Sequence, residues 1–321
     1  MTAPLIGVQT LQHGTTFADL ARAWREIDQL ELHSAWVMDH LFPMPYPSGR
    51  TNADGCFEAW TLLSSLSQAT SRIQLGCLVT SATFRNPVLL AKMAATADHA
   101  TGGRVVLGIG AGWYEPDHAG SGIDFPGPGE RVARLAEALE LLRYCWSGAG
   151  SGFSGRYYTV APGLPSVPSP TSGTMPLLIG GNGARVMRLA ARYADMWNMY
   201  APTYESFRRL NQRFATYCAE AGRKPGEVAV TLHMPFSVAR SRAQVRERWR
   251  ADFRGAAGIA ELVASGAVMS GTVEEVTGQL QRYLDDGADG FILGYEPPFP
   301  ESGLSLLARE VLPALRVRGN A

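Results

Sequence analysis

Asp39 and His40 are the residues whose types and position best suit chemistry, because they directly follow an apolar segment that begins at Ser34. An imidazole exchanges a proton near pH 7, and a neighbouring carboxylate can orient the ring or contact a ligand. The same pair can also cap the loop that follows, which holds three prolines within residues 43–47. The sequence therefore predicts either an acid–base site or a loop cap at this position.

Three further histidines and a group of aromatic residues are secondary candidates. His13 follows the first apolar segment and His233 lies in a later one, so either could face the same site as His40. His118 follows a glycine-rich turn, where a histidine either lines a pocket or is simply solvated. The aromatic residues expected to line the pocket are Phe42, Trp113 and Tyr114.

A first glycine-rich turn, formed by Gly180, Gly181, Asn182 and Gly183, stands between a predicted strand and a predicted helix. Glycines let the backbone approach a ligand, and the N–H groups at a helix N-terminus favour an anion. The segment lacks the lysine and the serine or threonine of a nucleoside triphosphate-binding loop. A phosphate site and an ordinary strand-to-helix turn both fit this pattern.

A second glycine-rich turn contains Gly108, Gly110 and Gly112 directly after a predicted strand. Its GxGxG spacing differs from the GxGxxG of dinucleotide-binding folds. We expect these glycines to let a flat ring lie against the backbone. The sequence contains no HExxH metal motif and no GxSxG nucleophile motif, so we expect no metal and a chemistry that depends on an organic cofactor.

The elements that must position these residues alternate between short apolar segments and longer amphipathic ones. The apolar runs are continuous, which is typical of strands covered on both faces in a parallel sheet. The predicted strands are 5–10, 34–39, 73–79, 104–110, 176–181, 194–200, 228–236 and 289–295. The predicted helices are 16–30, 57–70, 87–101, 129–147, 183–193, 203–222, 241–265, 272–286 and 303–316.

Eight predicted strands with intervening helices favour a closed (β/α)8 TIM barrel and leave an open doubly wound sheet as the alternative. We predict a single domain over 1–321, with loop insertions near 113–128, 148–175 and 236–270. Loops of this length in a compact domain are typical of lids and binding segments. These insertions are therefore candidates for shaping a substrate pocket.

The overall charge narrows the range of partners. Lysine plus arginine and aspartate plus glutamate each number 29, so the formal net charge is zero. Without a basic excess we expect no nucleic-acid partner and no membrane partner, but a small-molecule substrate. The four cysteines are widely spaced, and no segment has the pattern of a leader or a membrane span, which predicts a cytoplasmic protein with reduced thiols.

Several long segments resemble the bacterial luciferase-like superfamily of flavin and deazaflavin oxidoreductases. They are SAWVMDHLF at 34–42, the stretch 57–118, FPGPGERVARLAEALELLR at 125–143, PLLIGGNGARVMRLAARYADMWN at 176–198 and DGADGFILGY at 286–295. The resemblance implies a luciferase-like (β/α)8 barrel. In this superfamily Asp-His after the second strand is typical of enzymes that use coenzyme F420, and an EHH-like signature is typical of FMN monooxygenases. Asp39-His40 therefore favours F420, with FMN as the alternative.

The resemblance also implies which residues contact the cofactor: Asp39, His40, Leu78, Val79, Thr80 or Ser81, Gly110, Gly180, Gly181 and Asn182. A non-proline cis peptide would join Leu78 to Val79 behind the ring, and Thr80 would lie at the ring edge. The cofactor phosphate would rest on residues 180–182.

The function implied by the resemblance is hydride transfer between C5 of F420 and a small organic substrate, either an enone, an imine or an alcohol/carbonyl pair. His40, or alternatively His13, would exchange the accompanying proton. Two alternatives stay open: a two-component FMN monooxygenase that receives reduced flavin from a partner reductase, and a non-catalytic flavin-binding protein. A homodimer and an F420- or flavin-reducing partner enzyme are the expected protein partners.

Overall fold

Parallel strands close into a ring at the centre of the molecule. The computed structural model describes residues 3–44, 55–163, 167–201, 203–252, 259–297, 299 and 301–316. Its strands are β1 (Leu5–Thr10), β2 (Ser34–Val37), β3 (Gln74–Cys77), β4 (Thr80–Ser81), β5 (Val105–Gly110), β6 (Phe153–Ser154), β7 (Thr159–Val160), β8 (Leu177–Gly180), β9 (Met196–Tyr200), β10 (Ala229–Ala239), β11 (Met269–Thr272) and β12 (Gly290–Tyr295).

The ring runs in the order β1, β2, β3, β5, β8, β9, β10 and β12, and β12 pairs back onto β1. Every pairing in the ring is parallel, and each strand of the ring corresponds to one of the predicted strands. The predicted (β/α)8 barrel is therefore confirmed, and the open doubly wound sheet is wrong.

Helices cover the outside of the barrel and connect its strands. They are α1 (Phe17–Gln29), α2 (Ala59–Leu66), α3 (Pro87–Thr101), α4 (Glu115–Ser121), α5 (Pro128–Trp146), α6 (Ala184–Tyr193), α7 (Tyr204–Glu220), α8 (Arg242–Asp252), α9 (Ile259–Ser265), α10 (Val273–Asp285) and α11 (Glu301–Leu306). Shorter helical turns follow α2 (Ser67–Ala69) and α11 (Leu307–Val311 and Leu312–Ala314). Within the described ranges, no helix combines the length and the apolar character of a membrane span.

Short regular elements lie inside the segments predicted to be loop insertions. Helix α4 occupies part of 113–128, and the antiparallel pair of β6 and β7 lies within 148–175. Strand β11 begins at Met269, near the end of 236–270, and pairs with the end of β10. The predicted helix 241–265 contains α8 and α9, and the residues between them lie outside the described ranges. Sequence patterns miss these elements because segments of two to seven residues carry little periodic signal.

Buried side chains of the strands fill the interior of the barrel at the end where the strands begin. These buried side chains include Trp36, Val106, Leu178 and Ile292, each of which occupies one of the first three positions of its strand. The indole of Trp36 takes space that a glycine leaves, since a Cβ atom on Gly76 would lie 2.2 Å from the Trp36 ring. Because this end is packed, we expect a ligand at the opposite end, where the strands have their carboxyl termini.

Candidate functional site

His40 lies in the loop after β2, and its orientation is set by the segment that follows β5. Its Nδ1 atom lies 2.6 Å from Oδ2 of Asp117, whose side chain is 1% exposed. The rings of Trp113 and Tyr114 meet the imidazole edge-on, with centroids 5.9 Å and 5.4 Å away. A carboxylate only accepts hydrogen bonds, so this contact is satisfied when Nδ1 carries the proton, and Nε2 makes no bond to Asp117.

Asp39 belongs to a separate network. Its carboxylate accepts two hydrogen bonds from Arg85, at 2.7 Å and 2.9 Å, and a third from a backbone N–H of β4 at 2.9 Å. Glu58 forms a second ion pair with Arg85. Burial by itself lowers the pKa of Arg85, but the bonds and charges of Asp39 and Glu58 raise it overall. The expectation that Asp39 orients His40 is therefore wrong, because Asp117 bonds the imidazole instead.

The peptide bond between Leu78 and Val79 is cis, as the resemblance implies. Leu78 donates its N–H to the last residue of β2 at 2.7 Å, and Gln9 donates its side-chain N–H to the Leu78 carbonyl at 2.9 Å. The Val79 side chain fills space beside two glycines. A Cβ atom added to Gly110 would lie 2.7 Å from one Val79 methyl carbon, and a Cβ atom added to Gly180 would lie 2.9 Å from the other. Val79 and these two glycines form an apolar platform, which we call the Val79 platform.

The turn between β8 and α6 is open at the helix start. Gly181 has a φ of 136°, which favours glycine, and its carbonyl accepts a hydrogen bond from Trp197 Nε1 at 2.9 Å. Helix α6 begins after Gly183, and no side chain caps it. Asn182 donates to the Tyr200 carbonyl, while its Oδ1 is buried without a hydrogen-bond partner in the described part of the chain. Uncapped N–H groups at a helix start are able to donate hydrogen bonds to a phosphate or another anion.

Residues 3–292 match the family model described as luciferase-like monooxygenase. The chain belongs to this family. His40, the Val79 platform and the turn before α6 all lie within the matched residues of this luciferase-like chain.

Relatives of this luciferase-like chain include enzymes described as F420-dependent. The F420-dependent glucose-6-phosphate dehydrogenase of Amycolatopsis mediterranei is 27% identical, over 94% of this chain and 95% of the relative. The phthiodiolone/phenolphthiodiolone dimycocerosates ketoreductase of Mycobacterium tuberculosis is 32% identical, over 67% of this chain and 59% of the relative. A solved F420-dependent secondary alcohol dehydrogenase in complex with an F420-acetone adduct has a TM-score of 0.83 at 22% identity, over 98% of this chain and 100% of its own, which shows a shared fold.

His233 and His13 of the luciferase-like chain have different surroundings. His233 lies on β10 opposite Tyr200, the last residue of β9, and its Nε2 is buried with no hydrogen-bond partner among the described residues. Burial lowers the pKa of His233 to about 4, so its ring is neutral near pH 7. His13 is 1% exposed and forms an antiparallel bridge with Cys56. His233 therefore carries a neutral imidazole whose Nε2 makes no hydrogen bond to the described residues.

The structure corrects the expected contacts of Thr80 and His118. The Thr80 hydroxyl accepts a hydrogen bond from Trp60 Nε1 at 3.2 Å, so it faces helix α2 outside the barrel instead of a ring inside it. His118 is 1% exposed, and its ring nitrogens bond Thr83 Oγ1 at 2.8 Å and the Tyr114 carbonyl at 3.1 Å. It is neither solvated nor open to a substrate, and it holds the loop that carries Tyr114.

Exposed aromatic side chains surround the mouth of the barrel. Trp113 is 65% exposed, Tyr200 52% and Phe42 37%, and we call these residues the aromatic rim. Phe42 packs on α4, where a Cβ atom on Gly120 would lie 2.5 Å from the Phe42 ring. Of the predicted pocket residues, Trp113 and Tyr114 therefore contact the His40 ring, while Phe42 packs on α4.

A thiol lies directly behind His40. Cys56 donates to the His40 backbone carbonyl at 3.3 Å. Burial, with the charges of Asp117 and Asp39, raises the pKa of Cys56 to about 12. Because the thiolate is the reactive form, Cys56 does not serve as a nucleophile near pH 7.

Sequence reasoning missed Asp117 and Arg85, which hold the two predicted site residues. Asp117 is 77 residues from His40, and Arg85 is 46 residues from Asp39. In the sequence, Asp117 and Arg85 stand out only as charged residues in segments that follow a barrel strand. That signal suggests a site but does not identify the partner.

Proposed function

We propose that this chain is an F420-dependent oxidoreductase that transfers a hydride between C5 of the deazaflavin and a small organic substrate. The observation that carries the proposal is His40, whose Nδ1 is bonded to Asp117 and whose Nε2 is left to exchange a proton at the mouth of a luciferase-like barrel. The F420-dependent relative that is similar over 94% of this chain supports the choice of coenzyme.

The residues at the barrel mouth fit F420 by their chemistry. The open turn at Gly181, Asn182 and Gly183 suits a phosphate, because no side chain caps the following helix. The Val79 platform is an apolar surface that suits a flat ring. When bound, F420 supplies the carbon that accepts or donates the hydride.

His40 manages the proton in this proposal. When an alcohol is oxidised, Nε2 accepts the hydroxyl proton, and the ring becomes an imidazolium paired with Asp117. In the opposite direction the imidazolium returns that proton to a carbonyl oxygen, an imine nitrogen or the carbon next to an enone carbonyl. His13, buried on the neighbouring loop, is the alternative proton donor.

The surroundings favour a substrate without charge. The aromatic rim offers apolar faces at the entrance. Arg85, the cation behind the site, is already paired with Asp39 and Glu58. An enone, an imine or an alcohol/carbonyl pair suits these surroundings better than an anion does.

Anaerobic turnover tests the proposal. We expect the purified chain to oxidise reduced F420 in the presence of a ketone, enone or imine, or to reduce F420 with a secondary alcohol. The two-component FMN monooxygenase is tested in parallel by oxygen uptake with reduced FMN. Oxygen uptake with reduced FMN, together with no F420 turnover on any substrate class, would contradict the proposal.

A further inference from the structure

We propose that Asp117 is a positioning residue that fixes neutral His40 in one tautomer, with the proton on Nδ1 and the free electron pair on Nε2. The kinetic consequence rests on the proposed function, whereas the tautomer does not. Asp117 lies on α4, in a segment where sequence patterns predict only an irregular loop. Its contact with His40 joins the loop after β2 to the helix after β5.

The two oxygens of Asp117 make different kinds of bond. Oδ1 accepts the backbone N–H groups of Leu41 and Phe42, each at 3.0 Å. Oδ2 lies 2.6 Å from Nδ1 of His40. The bonds to Oδ1 already tie the loop to α4, so the bond to the imidazole is not needed to cap the loop.

The ring of His40 is enclosed as well as bonded. Trp113 and Tyr114 meet it edge-on, and its side chain is only 16% exposed. A ring flip that exchanged the two nitrogens would break the bond to Asp117. Neutral His40 therefore presents Nε2 as a proton acceptor, and protonated His40 presents an N–H there. An alcohol would lose a hydride from carbon to the coenzyme and its hydroxyl proton to Nε2, leaving a carbonyl.

Asp117→Asn separates the two kinds of bond. The amide oxygen of the variant can still accept from Leu41 and Phe42, but its NH₂ group donates and cannot pair with a protonated Nδ1. We therefore expect the proton of neutral His40 to move to Nε2. Nitrogen-15 NMR of the histidine rings reports the tautomer, and it is recorded as the pH is raised until the ring signals no longer change, so that the neutral form is observed. The His40 signals are identified by their loss in His40→Ala.

Two controls accompany this measurement. His118 bonds the Tyr114 carbonyl through Nδ1, so its tautomer stays the same in both proteins. Asp124 is exposed and lies just after α4, so Asp124→Asn removes the same charge without changing the contact with His40. We expect Asp124→Asn to leave the His40 tautomer and kcat unchanged.

Kinetics give the second readout. In F420-dependent turnover, we expect Asp117→Asn to lower kcat about 100-fold, with KM and the F420 Kd within about threefold of wild type. A wild-type His40 whose neutral form carries its proton on Nε2 overturns the proposal, and so does an unchanged tautomer in Asp117→Asn. If the wild type does not turn over F420, the proposed function is wrong, and the NMR experiment still decides the role of Asp117.

Discussion

At the scale of single residues, Asp39 and His40 are neighbours in the sequence but belong to different networks. Asp39 is bonded to Arg85, and His40 is bonded to Asp117. In extended backbone, successive side chains point to opposite sides, so adjacent polar residues at a strand end face different surroundings. The adjacent pair is therefore a buried ion-pair residue beside the residue that we propose transfers a proton, and the loop cap comes from Asp117.

Replacing His40 by alanine removes the proposed proton-transfer group and leaves the Val79 platform in place. We expect kcat for F420 turnover to fall about 10²- to 10⁴-fold. We expect the F420 Kd, measured by fluorescence titration, to stay within about threefold of the wild-type value, because the Val79 platform stays in place. His99→Ala removes an exposed histidine on α3 and serves as the control. Unchanged turnover in His40→Ala would contradict the role of His40.

We expect His233 to make the protein less stable in acid. Burial lowers its folded-state pKa to about 4, whereas the pKa of a histidine in the unfolded chain is about 6.5. Between these values the unfolded chain binds a proton that the folded chain does not, so the free energy of unfolding falls as the pH falls through this window. This shift amounts to about 3 kcal/mol.

Urea unfolding of the wild type and of His233→Gln measures this contribution. From about pH 7 to about pH 4, we expect the wild type to lose more stability than the variant, because only the wild type has the buried imidazole. Equal losses in the two proteins would show that His233 is not buried in its neutral form.

At the scale of elements, the Val79 platform depends on the absence of a side chain at Gly110 in β5 and at Gly180 in β8. Gly180→Ala places a Cβ atom 2.9 Å from a Val79 methyl carbon, so Val79 or β8 must shift. We expect the free energy of unfolding to fall by about 1–3 kcal/mol, which urea denaturation measures. F420 affinity falls with it, because the displaced side chain belongs to the proposed ring surface.

A second substitution checks the cause. Val79→Ala removes the methyl carbons that the new Cβ meets, so Gly180→Ala with Val79→Ala regains most of the stability that Gly180→Ala alone loses. Gly278→Ala on α10 adds the same methyl group where nothing lies within 4 Å, and we expect no loss there. If the losses of stability in Gly180→Ala and Val79→Ala simply add in the double variant, this contradicts the packing of Val79 against Gly180.

The barrel strands could be predicted because each is a continuous apolar run between helical patterns. Helix α4 could not, because EPDHAGS is short and contains proline and glycine. Helix α4 nevertheless carries Asp117, which holds His40. The sequence thus indicates where the site lies but not which side chains hold it, since those contacts join residues far apart in the chain and depend on closure of the ring.

At the scale of the whole molecule, closure of the barrel brings the loop after β2, the cis peptide after β3, the loop after β5 and the turn after β8 to one mouth. Each segment supplies one part of the proposed chemistry: proton transfer, ring support, positioning and phosphate binding. A change that opened the barrel would remove all of them together.

A homodimer is the assembly we propose for this chain. Apolar side chains remain exposed beside α2 and on α3, with Phe57 39% and Leu89 52% exposed, and a second copy could cover them. Sedimentation equilibrium should give twice the monomer mass of 34.6 kDa. We expect Leu89→Glu to weaken the dimer, while Leu262→Glu, on α9, serves as the control. A wild-type protein that sediments as a monomer would contradict this proposal.

Side-by-side titration of the purified chain with F420 and with FMN tests the central claim most directly. We expect F420 to bind at least about tenfold more tightly than FMN, a difference of about 1.4 kcal/mol. Micromolar binding of FMN with no binding of F420 would contradict the assignment of this luciferase-like barrel to F420 chemistry.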